Sequence, residues 1–306
     1  MIDLQKVATF LSVAEHSSLS EAAKHLHLSQ PTVSHQIKVL EQELGFILFI
    51  RSNTGLKLTE AGRLLLPWAR RLIHDTNELR DMMASLHQDI VGELRIACST
   101  TAGKFILPQM AARFCKRYPG IKVQILACGP EHASLQLLDG EAHISVISSE
   151  SADPNLESQE FFRDTINLIV PADHRWTKQE SIQPEEILEE PIIMREVTSG
   201  TRRVVLSELA KFDISLEDLN IFLELGSAEA IVGTVGAGFG ISFVSTLVSA
   251  CPIERGKVAS IRIEGMNLQR KVFMVRKRIS APHRPRDVFW GFIHDPSNAD
   301  LLKLAC

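Results

Sequence analysis

Residues 18–44 read SLSEAAKHLHLSQPTVSHQIKVLEQEL. Ser18, with Glu21 three positions on, has the spacing of a capping box, which satisfies free N–H groups in a first helical turn. Ala22, Ala23 and Leu26 give the short helix that follows a small inner face. His27-Leu28 makes a turn. Ser29 caps a second helix, and Pro31 sits in its first turn, where a missing N–H is harmless. Val33, Ile37, Leu40 and Leu44 recur at helical spacing as the stripe that packs.

At about 100° per residue, Pro31, Thr32, Ser34, His35 and Lys38 fall on the opposite face, with Ser29 and Gln30 at its tip. Two short helices, a tight turn and a polar second helix form a helix-turn-helix, which lays one helix in the major groove of double-stranded DNA. Gln can grip a base edge with two hydrogen bonds, Ser and Thr can bond base or phosphate, and Lys can neutralise a phosphate. A merely solvated helix face is the competing explanation. Upstream, Leu4, Val7, Phe10, Leu11 and Ala14 mark an amphipathic helix. Downstream, Gly45 ends the reading helix. Residues 46–62, FILFIRSNTGLKLTEAG, then read as a strand, a polar turn and a second strand into Thr59. That is a hairpin wing, and Arg51 and Lys57 flank its tip within reach of phosphates.

Residues 1–62 resemble the winged helix-turn-helix of the LysR-type transcriptional regulators. The resemblance is carried by Ser20-Glu21-Ala22-Ala23, Leu28-Ser29-Gln30-Pro31, Val33-Ser34, Leu40-Glu41, Leu44-Gly45, Leu48-Phe49, Arg51 and Leu58-Thr59-Glu60-Ala61-Gly62. Ile50 and Thr54 depart from it, standing where Glu and Arg are usual.

Charge does not advertise DNA binding. The 306 residues carry a net charge of −4, and residues 1–89 hold nine Lys/Arg against ten Asp/Glu, a formal −1. Phosphate affinity therefore has to come from local clusters, helix N-termini and two copies acting together. No run of 18 apolar residues is present and the N-terminus does not read as a signal peptide, so a cytoplasmic protein without a membrane span is expected. None of the five cysteines has C-x-x-C spacing and the eleven histidines are scattered. Reduced thiols and no metal site are the expectation.

Thr59 can cap a long helix to about Asp89. Leu65, Trp68, Leu72, Leu79, Met82 and Leu86 form an apolar seam along it, interrupted at Asp75. One seam on a polar helix calls for a partner helix, the alternative being the chain's own core. The resemblance implies a coiled-coil-like dimer here. Pro67 is expected to kink the helix.

From Gly92 strands and helices alternate. Glu93–Cys98, Ile121–Ala127 and Ile144–Ile147 read as strands, with helices around Pro108–Tyr118 and through Leu138, so a mostly parallel sheet is expected. A second unit holds strands Ile166–Val170, Ile192–Met194, Leu223–Leu225 and Ile241–Val244. The strand Arg270–Val275 and the helix at 285–293 are expected to return to the first unit, giving two crossings and a hinge. This resembles the effector domain of the LysR family, a two-lobed fold like the periplasmic solute-binding proteins (type 2). Leu137-Leu138-Asp139-Gly140-Glu141 and Gly236-Ala237-Gly238-Phe239-Gly240-Ile241 carry that resemblance, and His143 stands where Asp is usual. Arg195-Glu196, Ser199-Gly200-Thr201-Arg202 and Leu225-Gly226-Ser227 are similar to branches that regulate inorganic sulfur and carbon assimilation. The expected fold class is multidomain. An all-α winged helix-turn-helix spans 1–62 and a linker (dimerisation) helix 63–89. An α/β two-lobed effector domain follows, lobe I being 90–165 with 266–306, and lobe II 166–265.

Open α/β sheets bind ligands beyond the C-terminal ends of their strands. The loops there hold Ser99, Thr100, Thr101, Gly129, Ser148, Ser149, Ser199, Thr201 and Ser227, several at helix starts where N–H groups and the dipole favour an anion. Arg202 can add a charge. A small anionic effector is expected, although plain helix capping uses the same residue types. Gly236–Gly240 lacks G-x-G-x-x-G spacing, and no G-x-S-x-G elbow, P-loop or H-E-x-x-H occurs. The reading is a ligand-responsive transcription factor, not an enzyme, without a cofactor. It acts as a homodimer and, by resemblance, a homotetramer, with RNA polymerase as a further partner. A solute-binding protein or an enzyme using the cleft is the alternative; neither accounts for residues 18–44.

Overall fold

The computed structural model describes residues 2–52, 55–84, 90–99, 101–280 and 282–303. The chain divides into two compact units, residues 1–89 and nearly all of the remainder.

In the first unit, α1 (Leu4–His16), α2 (Leu19–His25) and α3 (Gln30–Leu44) pack around fully buried Phe10, Val33 and Leu40. Leu4, expected inside, is exposed. Val13 is buried instead, because the inward stripe of α1 runs through 7, 10 and 13. Only half of the capping box forms: Ser18 Oγ accepts from the Glu21 N–H at 3.4 Å, while the Glu21 carboxylate turns to Lys24 at 2.8 Å. The turn after α2 is a Schellman motif, with Leu28 N–H donating to the Ala23 carbonyl and His27 N–H to that of Lys24. His27 there adopts a φ of +54°, where glycine is usual. The wing is an antiparallel pair, β1 (Phe49–Ser52) and β2 (Gly55–Leu58), with Phe49 opposite Leu58. Gly55 seats it: at φ +114° its Cβ would come 2.8 Å from the Ser17 carbonyl, which accepts from the next N–H, that of Leu56. The linker helix α4 (Glu60–Ala84) is capped by Thr59, whose Oγ1 accepts from the Gly62 N–H at 3.0 Å, and it runs through Pro67 as one element.

The second unit opens with β3 (Gly92–Cys98), α5 (Thr101–Arg117), β4 (Ile121–Ala127), α6 (Pro130–Leu138) and β5 (Ile144–Ile147). β3 lies parallel to both β4 and β5. The α5 helix starts seven residues before the expected Pro108, which sits inside it. Next come β6 (Leu156–Pro171), β7 (Ser181–Ile182), β8 (Ile192–Arg195), α7 (Gly200–Leu209), β9 (Ile221–Leu225) and α8 (Ala228–Gly236). The chain closes with β10 (Ser242–Ser245), α9 (Thr246–Glu254), β11 (Val258–Ile263), β12 (Gln269–Lys277), α10 (Arg284–Phe292) and α11 (Ala299–Lys303).

The two crossings form a single antiparallel ladder. β6 begins ten residues before the expected Ile166; its first part pairs with β12, and its last residues pair with β10 and β11. β12 in turn pairs with β5, so both lobes share one sheet of order β4-β3-β5-β12-β6-β11-β7, and β8 and β9 pair separately. The register shifts between Val272 and Phe273, opposite Phe162 and Glu160, which leaves Phe161 as an extra residue on β6. Lobe I closes over Leu94, Ile96, Phe114, Phe161, Val272 and Phe289, and lobe II over Leu168, Trp176, Ile192, Val205 and Phe243. Cys98 belongs to the lobe I core, whereas Cys128 packs beside Ala97 on the other face of the sheet. His143, standing where Asp is usual, keeps the acceptor: the Arg95 N–H donates to its Nδ1 at 2.9 Å.

A clasp ties the C-terminal segment to α5. Arg113 donates to both carboxylate oxygens of Asp300 and to the Ser297 carbonyl, and Arg117 reaches Asp295 at 2.7 Å. Hydrogen bonds from Ser297 hold Asp295 at a pKa of about 2, and the Arg113 guanidinium holds Asp300 at about 2. A carboxylate with a depressed pKa stabilises the fold above its ordinary value, and that contribution is lost as pH falls through the folded one. The clasp is expected to loosen between pH values of about 4 and 2, with Leu301 still held in the core. Hydrogen exchange at Asn298 should then accelerate before that at Phe114. Simultaneous exchange of both sites would refute this.

Candidate functional site

The expected reading residues of α3 share its open face. Ser29, Gln30, Pro31, Thr32, Ser34, His35 and Lys38 are exposed, while Val33, Ile37 and Leu40 are buried. Ser29 is committed to the cap, its Oγ accepting from the Thr32 N–H at 3.2 Å and sharing a 2.7 Å hydrogen bond with the Thr32 hydroxyl. Gln36, on the next turn, is not a reader: its Oε1 accepts from Thr9 of α1. Arg51 and Lys57 are exposed on the wing, whose tip at 53–54 lies outside the described residues. Glu41 orients the wing, accepting from the N–H of Leu48 at 2.7 Å, and Lys6 pairs with Glu43 to fix α1 on α3.

The seam on α4 needs correction at its start. Leu65, Leu66, Ala69 and Ile73 pack onto the helix-turn-helix core, so Leu65 faces inward. Leu64 takes its place in an exposed apolar stripe with Trp68 (65% exposed), Leu72, Leu79 and Met83. The periodicity was legible, but two apolar faces overlap at 64–66 and only packing separates them. The Met82 side chain and Leu86 lie outside the described residues. A groove of about 740 Å³, walled by Phe46, Ile47, Leu64 and Trp68, continues the stripe.

The second site lies where α7 meets lobe I. Gly200 is pressed against the end of β5: a Cβ there would fall 2.3 Å from Ser148 Oγ. Ser199, at the N-cap of α7, is 3% exposed, and its hydroxyl has no hydrogen-bond partner among the described residues. Thr201 is buried, and its Oγ1 accepts from Arg270 Nη1 at 3.0 Å. Arg270 on β12 clasps Asp164, its cross-strand partner on β6, through Nε at 2.8 Å and Nη2 at 2.7 Å. Ser245 donates to the other Asp164 oxygen at 2.6 Å. Burial pushes the Asp164 carboxyl above its ordinary pKa, with Arg270 and Ser245 pulling the other way. From the solvent side, Arg203 Nη2 donates to Ser148 Oγ at 3.3 Å.

Ser148, Ser199 and Thr201 are thus brought together, with Ser99 at the end of the neighbouring strand, its hydroxyl donating to the Val146 carbonyl at 3.2 Å. Arg202 does not supply the expected charge. Its Nη1 is taken by the Arg195 carbonyl and by Glu224 at 2.5 Å, which leaves it as a strut between β8 and β9. Ser227 is spent on capping α8, and Ser149 and Gly129 are exposed; among the described residues no hydrogen bond joins these three to the cluster. Thr100 lies outside the described residues, as does the side chain of Thr101. Asp164, Arg203, Ser245 and Arg270 are additions. A charge on the apolar face of a strand was the available signal for Asp164 and Arg270, since such a charge is buried only with a partner.

Residues 4–63 match the bacterial regulatory helix-turn-helix proteins of the lysR family, and residues 87–296 match the LysR substrate binding domain. The chain belongs to the LysR family of transcriptional regulators. It is therefore a DNA-binding transcriptional regulator, with the multidomain fold expected from its sequence. A helix-turn-helix regulator of Methanocaldococcus jannaschii is 31% identical over 93% of this chain and 96% of its own length. A "Probable RuBisCO transcriptional regulator" of Trichormus variabilis is 30% identical over 98% and 92%. Among solved structures, the LysR family regulator CbnR superposes with a TM-score of 0.73 over the full length of both chains at 22% identity, showing the same fold. The CcmR regulatory domain of Synechocystis, solved in complex with 2-PG, aligns over 66% of this chain and 95% of its own at 25% identity and a TM-score of 0.60. Among the described residues no helix is long and apolar enough to cross a membrane.

Proposed function

We propose that this LysR regulator reads its operator with α3, pairs through α4, and is switched by a small anion held between its lobes. The effector reading is carried by Ser199. Its buried hydroxyl has no partner at a helix N-terminus. An unmet buried polar group is costly, and a helix start is a ready anion site. Thr201 and Ser148 supply further hydroxyls, and the CcmR complex with 2-PG supports a bound effector in a domain of this kind. In the full chain, Ser199→Ala and Thr201→Ala should abolish the effector response and leave operator affinity intact. Full induction by either variant would remove that residue from the site.

The polar face of α3 supports base reading by Gln30, Ser34 and His35 and phosphate contact by Lys38, Arg51 and Lys57. Gln30→Ala should cost ~1–3 kcal/mol at one base pair and relax preference there. An unchanged preference in a binding-site selection would count against it. Lys38→Ala should weaken binding to every sequence and reduce the salt slope by about one; an unaltered slope sinks the phosphate role. The domain division at about 62, 89, 165 and 265, assembly beyond the dimer, contact with RNA polymerase and a cytoplasmic location belong to the same proposal. The relatives named for RuBisCO favour a carbon-assimilation target.

A further inference from the structure

We infer that Arg203 is the effector's charge partner, and that the cleft takes a doubly charged tetrahedral oxyanion group, phosphate or sulfate. This rests on the effector reading above and goes further by fixing the ligand's charge and the residue that meets it.

Charge bookkeeping singles out Arg203. Four arginines surround the first turn of α7. Arg195 is paired with Glu196, Arg202 with Glu224 and Arg270 with Asp164. Arg203 pairs with no carboxylate among the described residues; its guanidinium is exposed and its side-chain contact is the Ser148 hydroxyl. One uncompensated guanidinium therefore stands over a helix N-terminus worth roughly half a positive charge. Together they offer about one and a half charges, which a phosphate group of about −1.5 to −2 balances and a carboxylate does not.

The donors have the matching arrangement. Ser199 and Thr201 stand at the start of α7, and Ser148 directly follows β5 in the other lobe. Thr201 Oγ1 already accepts from Arg270, so its own proton is available to a ligand oxygen. The free hydroxyl of Ser199 and the fork of Arg203 supply further donors from different directions. Oxygens diverging from a tetrahedral centre meet donors on two walls, whereas a carboxylate presents two oxygens in one plane. The Arg203–Ser148 hydrogen bond spans the two lobes, and an oxyanion between them would exchange that contact for two charged ones.

The test uses the full-length protein with inorganic sulfate, inorganic phosphate and acetate at constant ionic strength, read by calorimetry and thermal shift. Sulfate and phosphate should bind the wild type, with acetate far weaker. Phosphate should tighten as it loses its second proton, around neutral pH, while sulfate stays level. Arg203→Gln should lower affinity for both about tenfold or more. Arg203→Lys should fall between, because an ammonium lacks the fork. Equal affinity in the wild type and Arg203→Gln overturns the role of Arg203. Acetate binding as tightly as sulfate overturns the divalent assignment and leaves the effector cleft standing. If no anion binds and Ser199→Ala changes no effector response, the cleft reading falls as well.

Discussion

Replacing Arg270 with Met is expected to lower the free energy of unfolding at neutral pH by about 3–5 kcal/mol, the loss that follows when one partner of a buried ion pair is removed. Asp164 is fully buried, and its carboxylate is balanced by Arg270 from the facing strand and by the Ser245 hydroxyl. The pH dependence identifies the cause. Burial already raises the Asp164 pKa in the native protein, and without the guanidinium it rises further. A carboxyl with a raised folded pKa keeps its proton where the unfolded chain has lost it. Its contribution is therefore intact below the unfolded value near 4 and is lost as pH rises toward the folded one. The Arg270→Met deficit should be smallest near pH ~4 and largest at neutrality. Adding Asp164→Asn should recover much of it, because an amide needs no counter-charge. Urea denaturation at both pH values checks this. A deficit that is the same at both, or that Asp164→Asn deepens, would show that lost packing rather than the stranded carboxylate is responsible.

That pair also marks what was legible in the sequence. The elements with strong periodicity were readable: α3 with its polar face, the βαβαβ start of the effector domain, and strands such as Ile121–Ala127 that are bounded alike in both readings. The first ten residues of β6, LESQEFFRDT, were not, because their polarity hides a strand that β12 pairs with directly. The sequence alone offers Arg202 as a charge and does not single out its neighbour Arg203. A helix turns about 100° per residue, so neighbours face apart, and only packing shows that Arg202 points to Glu224 and Arg203 to Ser148. The hydroxyls shared between capping and ligand binding could not be divided by residue type. Ser227 caps and Ser199 does not.

Trp68→Glu carries the other large expected effect. The net charge of residues 1–89 is close to zero, so a single copy has little non-specific attraction to DNA. Affinity for an operator with two half-sites then depends on linkage between copies, which is worth ~10²–10⁴-fold when geometry allows both to engage. Trp68 stands in the middle of the exposed stripe formed by Leu64, Leu72 and Leu79, and a carboxylate there would have to be buried by any helix laid against it. The variant should sediment as a smaller species. It should lose ~10²–10⁴-fold on a paired operator while binding an isolated half-site as the wild type does. Wild-type affinity for the paired site would show that α4 is not the pairing surface.

The extra residue at Phe161 puts a bend in the ladder that joins the two lobes. One residue outside the register bends the strand that carries it and increases the local right-handed twist of the ladder. Phe161, Phe162 and Val272 are buried in the lobe I core, so the bend is anchored there. Asp164 and Arg270 face each other three residues beyond the bend, with Thr201 held by the guanidinium. On the reading proposed above, a ligand held at Thr201 would pull on the guanidinium that joins the two strands just past the bend.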